Sequence, residues 1–384
     1  MRPARILFVT GSLSHGGAER LSVTIMNRLA ERGHDCHAVY VKAASAALLT
    51  HSRLPPAGSV RCLNARRYFD WRALAEFRAH LAALRPSVIV AANAYALMYA
   101  FLARLLSRAP ARLAVTWHST RLVGAKEELQ MMLYRLFFWM SDCLVFVCKR
   151  QKRHWLWRGV FSRRNEVIYN GVDTAAFSGP AHGAARGATR AALGMGESDY
   201  VVGLAAILRP EKNPVQLVDA LAMLHRRGIP ARGLVIGEGE MRPALEARAR
   251  ALGLERDLVI TGLQQDVRPY MAACDVMVSC SLTEALSLAV IEAMALGKPV
   301  VISDVGGAAE MVMQGENGFR FPVGDTQTLA GRLAMLADVA LRRGMGERAR
   351  RVAELLFSEK TMVDCYERTL LELCAPGRPG PTGP

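Results

Sequence analysis

Short runs of β-branched and aliphatic residues recur along the chain, separated by longer stretches whose apolar positions return every three to four residues. In the first half these runs are ILFVT (6–10), CHAVYV (36–41), SVIVA (87–91), RLAVT (112–116), CLVFV (143–147) and EVIYN (166–170). Most are apolar at consecutive positions, which marks strands buried on both faces of a helix-covered parallel sheet. Helical stretches lie between them, for example 18–32, closed by Gly33, and 70–84, stopped ahead of Pro86. A second series follows: YVVGLAA, GLVIG, LVIT, VMVS and PVVIS, each trailed by a helical pattern. This alternation predicts an α/β protein with two Rossmann-like domains facing across a cleft. Residues 176–195 are rich in Gly and Ala without an apolar period and read as a linker. The expected layout is an N-terminal domain over 1–175, that linker, a C-terminal domain over 196–357 and a flexible tail over 375–384.

A length of 384 residues suits two domains, and 51% hydrophobic with 22% charged residues excludes disorder over the whole chain. The net charge of +15 is unevenly placed: residues 1–190 carry 28 basic and 10 acidic side chains, residues 191–384 carry 21 and 24. An excess confined to one half points to a polyanionic partner for that half alone. The eight cysteines form no C-x-x-C pair and no zinc-like spacing with histidine, so reduced thiols of a cytoplasmic protein are expected. The N-terminus reads as a first strand rather than a signal peptide. The longest uncharged stretch, 86–103, includes a proline, an asparagine and two tyrosines and reads as strand plus helix, so no membrane span is expected.

Ligands of open α/β sheets bind at the carboxyl ends of the strands, so the residues after each run are the candidates for chemistry. After the first run, Gly16 and Gly17 precede a helix that carries Glu19 in its first turn, a place where backbone N–H groups can approach an oxyanion. After RLAVT comes His118, able to hydrogen-bond a substrate hydroxyl. After YVVGLAA come Arg209 and Lys212, two cations suited to a diphosphate without a metal. Gly237 and Gly262 sit at two further strand ends, the latter followed by Leu263. Glu284 lies in the loop after VMVS, Ser287 and Leu288 open the next helix, and Glu292 falls a turn and a half inside it. The loop carboxylate can accept bonds from sugar hydroxyls, the inner one from a ribose diol, and the helix N–H groups between them face an anion.

GGAE (16–19), NGVD (170–173), LRPEK (208–212), E-x7-E (284–292), EAMALGKPVV (292–301) and DVGGAAE (304–310) together resemble the GT-B glycosyltransferases of family 4, over about residues 5–360 and in the family's order. The resemblance implies a retaining enzyme with a nucleotide-sugar donor, no cofactor and no metal. It implies donor binding by the C-terminal domain, acceptor binding by the N-terminal one, and a C-terminal helix over 358–373 that crosses back to the first domain. It implies diphosphate contact for Lys212, ribose contact for Glu292, donor-sugar contact for Glu284, phosphate contact for Gly17 and a place near the reacting carbon for His118. The Gly-Arg common five residues before the lysine is Ala206-Ile207 here, with Arg209 resembling a subfamily variant. The Gly common after the first glutamate is Ala285.

Two segments of the N-terminal half interleave cations with aromatics: 66–85, with Arg66, Arg67, Arg72, Arg78 and Arg85, and 149–164, with seven Lys/Arg beside Trp155, Trp157 and Phe161. They predict contact with an anionic membrane surface, hence a peripheral protein on the inner face of the cytoplasmic membrane acting on a lipid-linked or glycan acceptor. A UDP-sugar is the expected donor. Two other classes are a GT-B sugar-nucleotide epimerase and a basic nucleic-acid-binding protein; E-x7-E and two Rossmann-like halves give the second no purpose, so no nucleic acid is expected.

Overall fold

The apolar runs of the first half become a parallel sheet. Its strands are β1 (Arg5–Thr10), β2 (Asp35–Tyr40), β3 (Val60–Cys62), β4 (Val88–Ala92), β5 (Arg112–Trp117), β6 (Cys143–Phe146) and β7 (Asn165–Val167), in the order β3-β2-β1-β4-β5-β6-β7. The computed structural model describes residues 3–12, 17–42, 60–118, 125–177 and 181–375. Helices α1 (Gly17–Glu31), α2 (Trp71–Leu84), α3 (Asn93–Ser107), α4 (Ala125–Trp139) and α5 (Lys149–Trp157) connect the strands. Leu7, Val9, Ile89, Ala91, Leu113, Val115 and Leu144 have no exposed surface, as continuous apolar strands between helical layers require.

A second parallel sheet contains β8 (Tyr200–Ala205), β9 (Ala231–Ile236), β10 (Leu258–Ile260), β11 (Val276–Ser279), β12 (Val300–Ser303) and β13 (Gly318–Phe321), in the order β10-β9-β8-β11-β12-β13. Its helices are α6 (Ala181–Ala192), α7 (Val215–Arg226), α8 (Arg242–Ala251), α9 (Arg268–Ala273), α10 (Leu288–Ala295), α11 (Ala308–Met311), α12 (Thr326–Met335) and α13 (Val339–Leu356). The chain thus forms two Rossmann-like units, Met1–Tyr169 with Met362–Pro384, and Asn170–Thr361. Each sheet reverses its strand order once, at β1/β4 and at β8/β11. Those reversals are where an α/β sheet opens a crevice for ligands.

One expectation needs correction. Residues 176–195 are no linker: they hold α6, packed on α9 within the second unit. Arg186 and Arg190 of α6 reach the buried Asp275 carboxylate at 2.9 and 2.8 Å, and Arg190 is only 1% exposed. Guanidinium groups make these buried contacts, so no apolar period marks the helix. Strands β3 and β13 had no counterpart among the expected runs; both are short and lie at sheet edges. The last helix, α14 (Glu359–Cys374), passes from the second unit into the first, where Asp364 and Glu367 pair with Arg32, and Glu372 with Arg164 at 2.8 Å. No helix among the described residues is long and apolar enough to cross a membrane.

Candidate functional site

In the second unit the site is built where β8 and β11 diverge. The loop after β8 runs through Arg209 into a 3-10 turn, Pro210–Lys212, which ends at Asn213 with a left-handed φ of 46°. The loop after β11 carries Glu284 and leads to Ser287, whose Oγ caps α10 by accepting from Val290 N at 3.4 Å. Leu282 N donates to Glu211 O at 2.8 Å and Lys212 Nζ donates to Glu284 Oε2, so the two loops are tied through both backbone and side chain. A recess at this point is lined by Ala205, Ala206, Lys212, Ser279, Ser281 and Ser287 among others. The first N–H groups of α10 have no partner within their own helix, and its dipole adds about half a positive charge at that end.

The Glu284 loop is clamped by residues that act through the backbone. Gly306, at φ 49°, lies so close that a Cβ there would fall 1.8 Å from Glu284 O, and Gly307 N donates to Ala285 O at 2.7 Å. The buried Asn170 donates from Nδ2 to Leu286 O at 3.3 Å. The NGVD and DVGG motifs therefore support the carboxylate loop. The Asn170 and Gly306 contacts were not foreseen; the signals in the sequence were the NGVD and DVGGAAE motifs themselves and their residue types, a glycine where φ must be positive and a short amide able to cap a carbonyl.

Each expected site residue has a definite place. Lys212 and Ser287 line the recess, and Glu284 pairs with Lys212. Arg209 is 57% exposed on its side chain with Glu211 at 3.9 Å, a loose pair that leaves it able to swing. Leu288 is half-buried at the start of α10, and Glu292 is buried farther along it. Gly237 and Gly262 pair with each other in a backbone bridge. A Cβ on Gly237 would lie 1.9 Å from Ala206 O, so this glycine lets the β9 loop pack against the β8 loop. Leu263 beside them is exposed.

His118 and Gly17 belong to the first unit. His118 follows β5; its N–H donates to Oδ1 of Asn93 at 3.2 Å, and Asn93 itself takes φ 67° directly after β4. Burial pushes the His118 imidazole down to about 4, so the ring is neutral at pH 7. Gly17 opens α1, where burial raises the half-buried Glu19 carboxyl above its usual range. Gly16 lies outside the described residues. Among the described residues no group of three or more His, Cys, Asp or Glu is placed to hold a metal.

Two family models match in tandem, glycosyltransferase family 4 over residues 15–176 and glycosyl transferases group 1 over residues 186–352. The chain is 36% identical over 222 residues to a D-inositol 3-phosphate glycosyltransferase of Jonesia denitrificans, covering 53% of this chain and 51% of that one. It is 30% identical over 176 residues to the UDP-Gal:alpha-D-GlcNAc-diphosphoundecaprenol alpha-1,3-galactosyltransferase of Escherichia coli, covering 45% of each. The chain spans about half the length of these relatives. The Anabaena protein Alr3699/HepE in complex with UDP superimposes with a TM-score of 0.84 at 23% identity, over 96% of this chain and 100% of that one. The two family models side by side, on two Rossmann-like units with a cationic strand-end site, make the chain a member of the GT-B glycosyltransferases.

Proposed function

We propose that the protein transfers a hexosyl group, with retention at the anomeric carbon, from a nucleoside diphosphate sugar to a lipid-linked or glycan acceptor in cell-surface polysaccharide biosynthesis. The observation that carries this reading is the Lys212–Glu284 pair at the mouth of α10, a cation and a carboxylate held beside a helix N-terminus. UDP is the nucleotude of choice, supported by the UDP complex of the Anabaena neighbour and the UDP-Gal named for the E. coli relative.

Cleavage of the bond between anomeric carbon and diphosphate leaves positive charge on the sugar and negative charge on the departing oxygen. Stabilising that oxygen is the main task, and Lys212, Arg209 and the α10 N–H groups supply the countercharge without a resident metal. Glu284 accepts from donor-sugar hydroxyls, and Glu292 from the ribose. The acceptor hydroxyl attacks from the face the leaving group vacates, and its proton passes to a phosphate oxygen. Neutral His118 then serves as a hydrogen-bonding partner of the sugar or acceptor rather than as an acid. The test is release of nucleoside diphosphate from UDP-, GDP- and ADP-sugars in the presence of a bacterial lipid extract. Acceptor-dependent release from one donor, with the anomeric configuration retained in the product, supports the reading. Conversion of the donor without release marks an epimerase and overturns it.

A further inference from the structure

We infer that α4 lies flat in the interface of an anionic membrane and is the element that docks the protein on the lipid carrying its acceptor. This deepens the proposed function and rests on its lipid-borne acceptor. The helix is apolar on two opposite faces. Met131, Tyr134 and Phe138 are buried in the first unit's core, while Leu129, Met132, Leu133, Leu136 and the following Met140 are each 53 to 67% exposed. These exposed positions repeat at three and four residues and form one continuous stripe. A soluble protein rarely exposes so many large aliphatic side chains together unless something covers them. At the stripe's end Trp139 stacks on Phe161 with ring centroids 5.7 Å apart and donates from Nε1 to Gly159 O at 2.9 Å, which extends the apolar surface into the loop after α5.

Charge names the occupant. Lys149, Arg150 and Arg153 on α5 and Arg163 in the loop that holds Phe161 are exposed, Arg163 also lying 3.6 Å from Asp142, while Lys152, Arg158 and Arg164 of the same segment are less exposed and bond to Asn165 O, Glu128 and Glu166. Exposed cations next to an aliphatic stripe suit acyl chains beneath anionic headgroups. Of the aromatics in the basic segment 149–164, Trp155 is a core residue while Trp157 and Phe161 are exposed, and α4 adds an aliphatic surface beside them.

The experiment is co-sedimentation of the full chain with vesicles of phosphatidylglycerol and phosphatidylethanolamine, against phosphatidylcholine alone. Wild type should bind the anionic vesicles at least tenfold more tightly than the neutral ones. The exposed-site variants Leu133→Glu/Leu136→Glu and Arg150→Glu/Arg153→Glu should each lower anionic binding at least tenfold. UDP binding, measured without lipid, should be unchanged in both; its loss in wild type bears on the donor reading alone. Three results overturn the inference: no binding of wild type to anionic vesicles, binding that survives the α4 substitutions, or a dimer in gel filtration that those substitutions dissolve, which would make the stripe a contact between copies of the chain.

Discussion

Lys212 and Glu284, separated by 72 positions, form an ion pair where the loops after β8 and β11 converge. In the proposed function a donor diphosphate competes with Glu284 for the Lys212 ammonium, and Glu284 contacts the donor sugar. Glu284→Gln should bind UDP several-fold more tightly, because the competing anion is gone, and yet transfer at least a hundredfold more slowly, because a sugar contact is lost. Titration calorimetry with UDP and a turnover assay separate the two; weaker UDP binding in the variant would show that Glu284 does not compete. Both side chains are about a quarter exposed, so the pair contributes on the order of 0–1 kcal/mol to folding and either substitution should leave stability nearly intact.

Gly306 offers a test of the clamp on that loop. An alanine there would combine a left-handed backbone, costing about 1–2 kcal/mol, with a Cβ inside the Glu284 carbonyl. Gly306→Ala should lower kcat/KM far more than it lowers the melting temperature, since the strain falls on the Glu284 loop. A variant with wild-type kcat/KM would show that the loop tolerates displacement.

Asp275 is the countercharge of α6. Burial works against its ionisation, but the Val201 N–H and the guanidiniums of Arg190, Arg186 and Arg342 outweigh it and hold the carboxyl below its ordinary range. Its contribution is therefore present above the unfolded carboxyl's value of about 4 and fades as pH falls through the lower folded value. Asp275→Asn leaves buried Arg190 without its anion and should destabilise by about 3–5 kcal/mol at pH 7. Chemical denaturation should show that gap narrowing below pH ~4. A constant gap across that range would assign the loss to packing.

His118 makes a pH prediction of opposite interest. Its imidazole is held neutral down to about 4, so it favours the folded state above the unfolded value of about 6.5, an advantage lost as pH falls from there toward 4. Transfer should therefore show no His118 inflection between pH 5.5 and 8. An inflection near pH 6.5 that disappears in His118→Asn would mean that the ring titrates normally.

The strands were legible in the sequence because both faces are buried, so most runs such as VIVAA and VMVS are apolar at successive positions. Edge strands β3 and β13 were not, because an arginine interrupts the apolar run in each, VRC and GFRF. Helix α6 was lost to view because Arg186 and Arg190 do the work that Leu or Val would do in a periodic helix. At the site, Lys212, Glu284 and Ser287 were visible as charged or capping residues after strands. Their joining, and the support from Asn170 and Gly306, depends on side-chain direction and on backbone approach across distant loops. Asn93 behind His118 is the same case: a strand-end asparagine whose φ of 67° and bond to the His118 N–H show only in three dimensions.

The central claim, a nucleoside diphosphate site on the second unit, is tested most directly by the thermal stability of wild type, Lys212→Ala and Glu292→Ala with UDP, GDP and ADP. A ligand present at 100 times its dissociation constant stabilises by about 2.7 kcal/mol. Wild type should shift clearly upward with UDP and, at the same concentration, either variant should shift little or not at all, with unliganded melting still cooperative. No shift of wild type with any of the three nucleotides, or an undiminished shift in both variants, would contradict it.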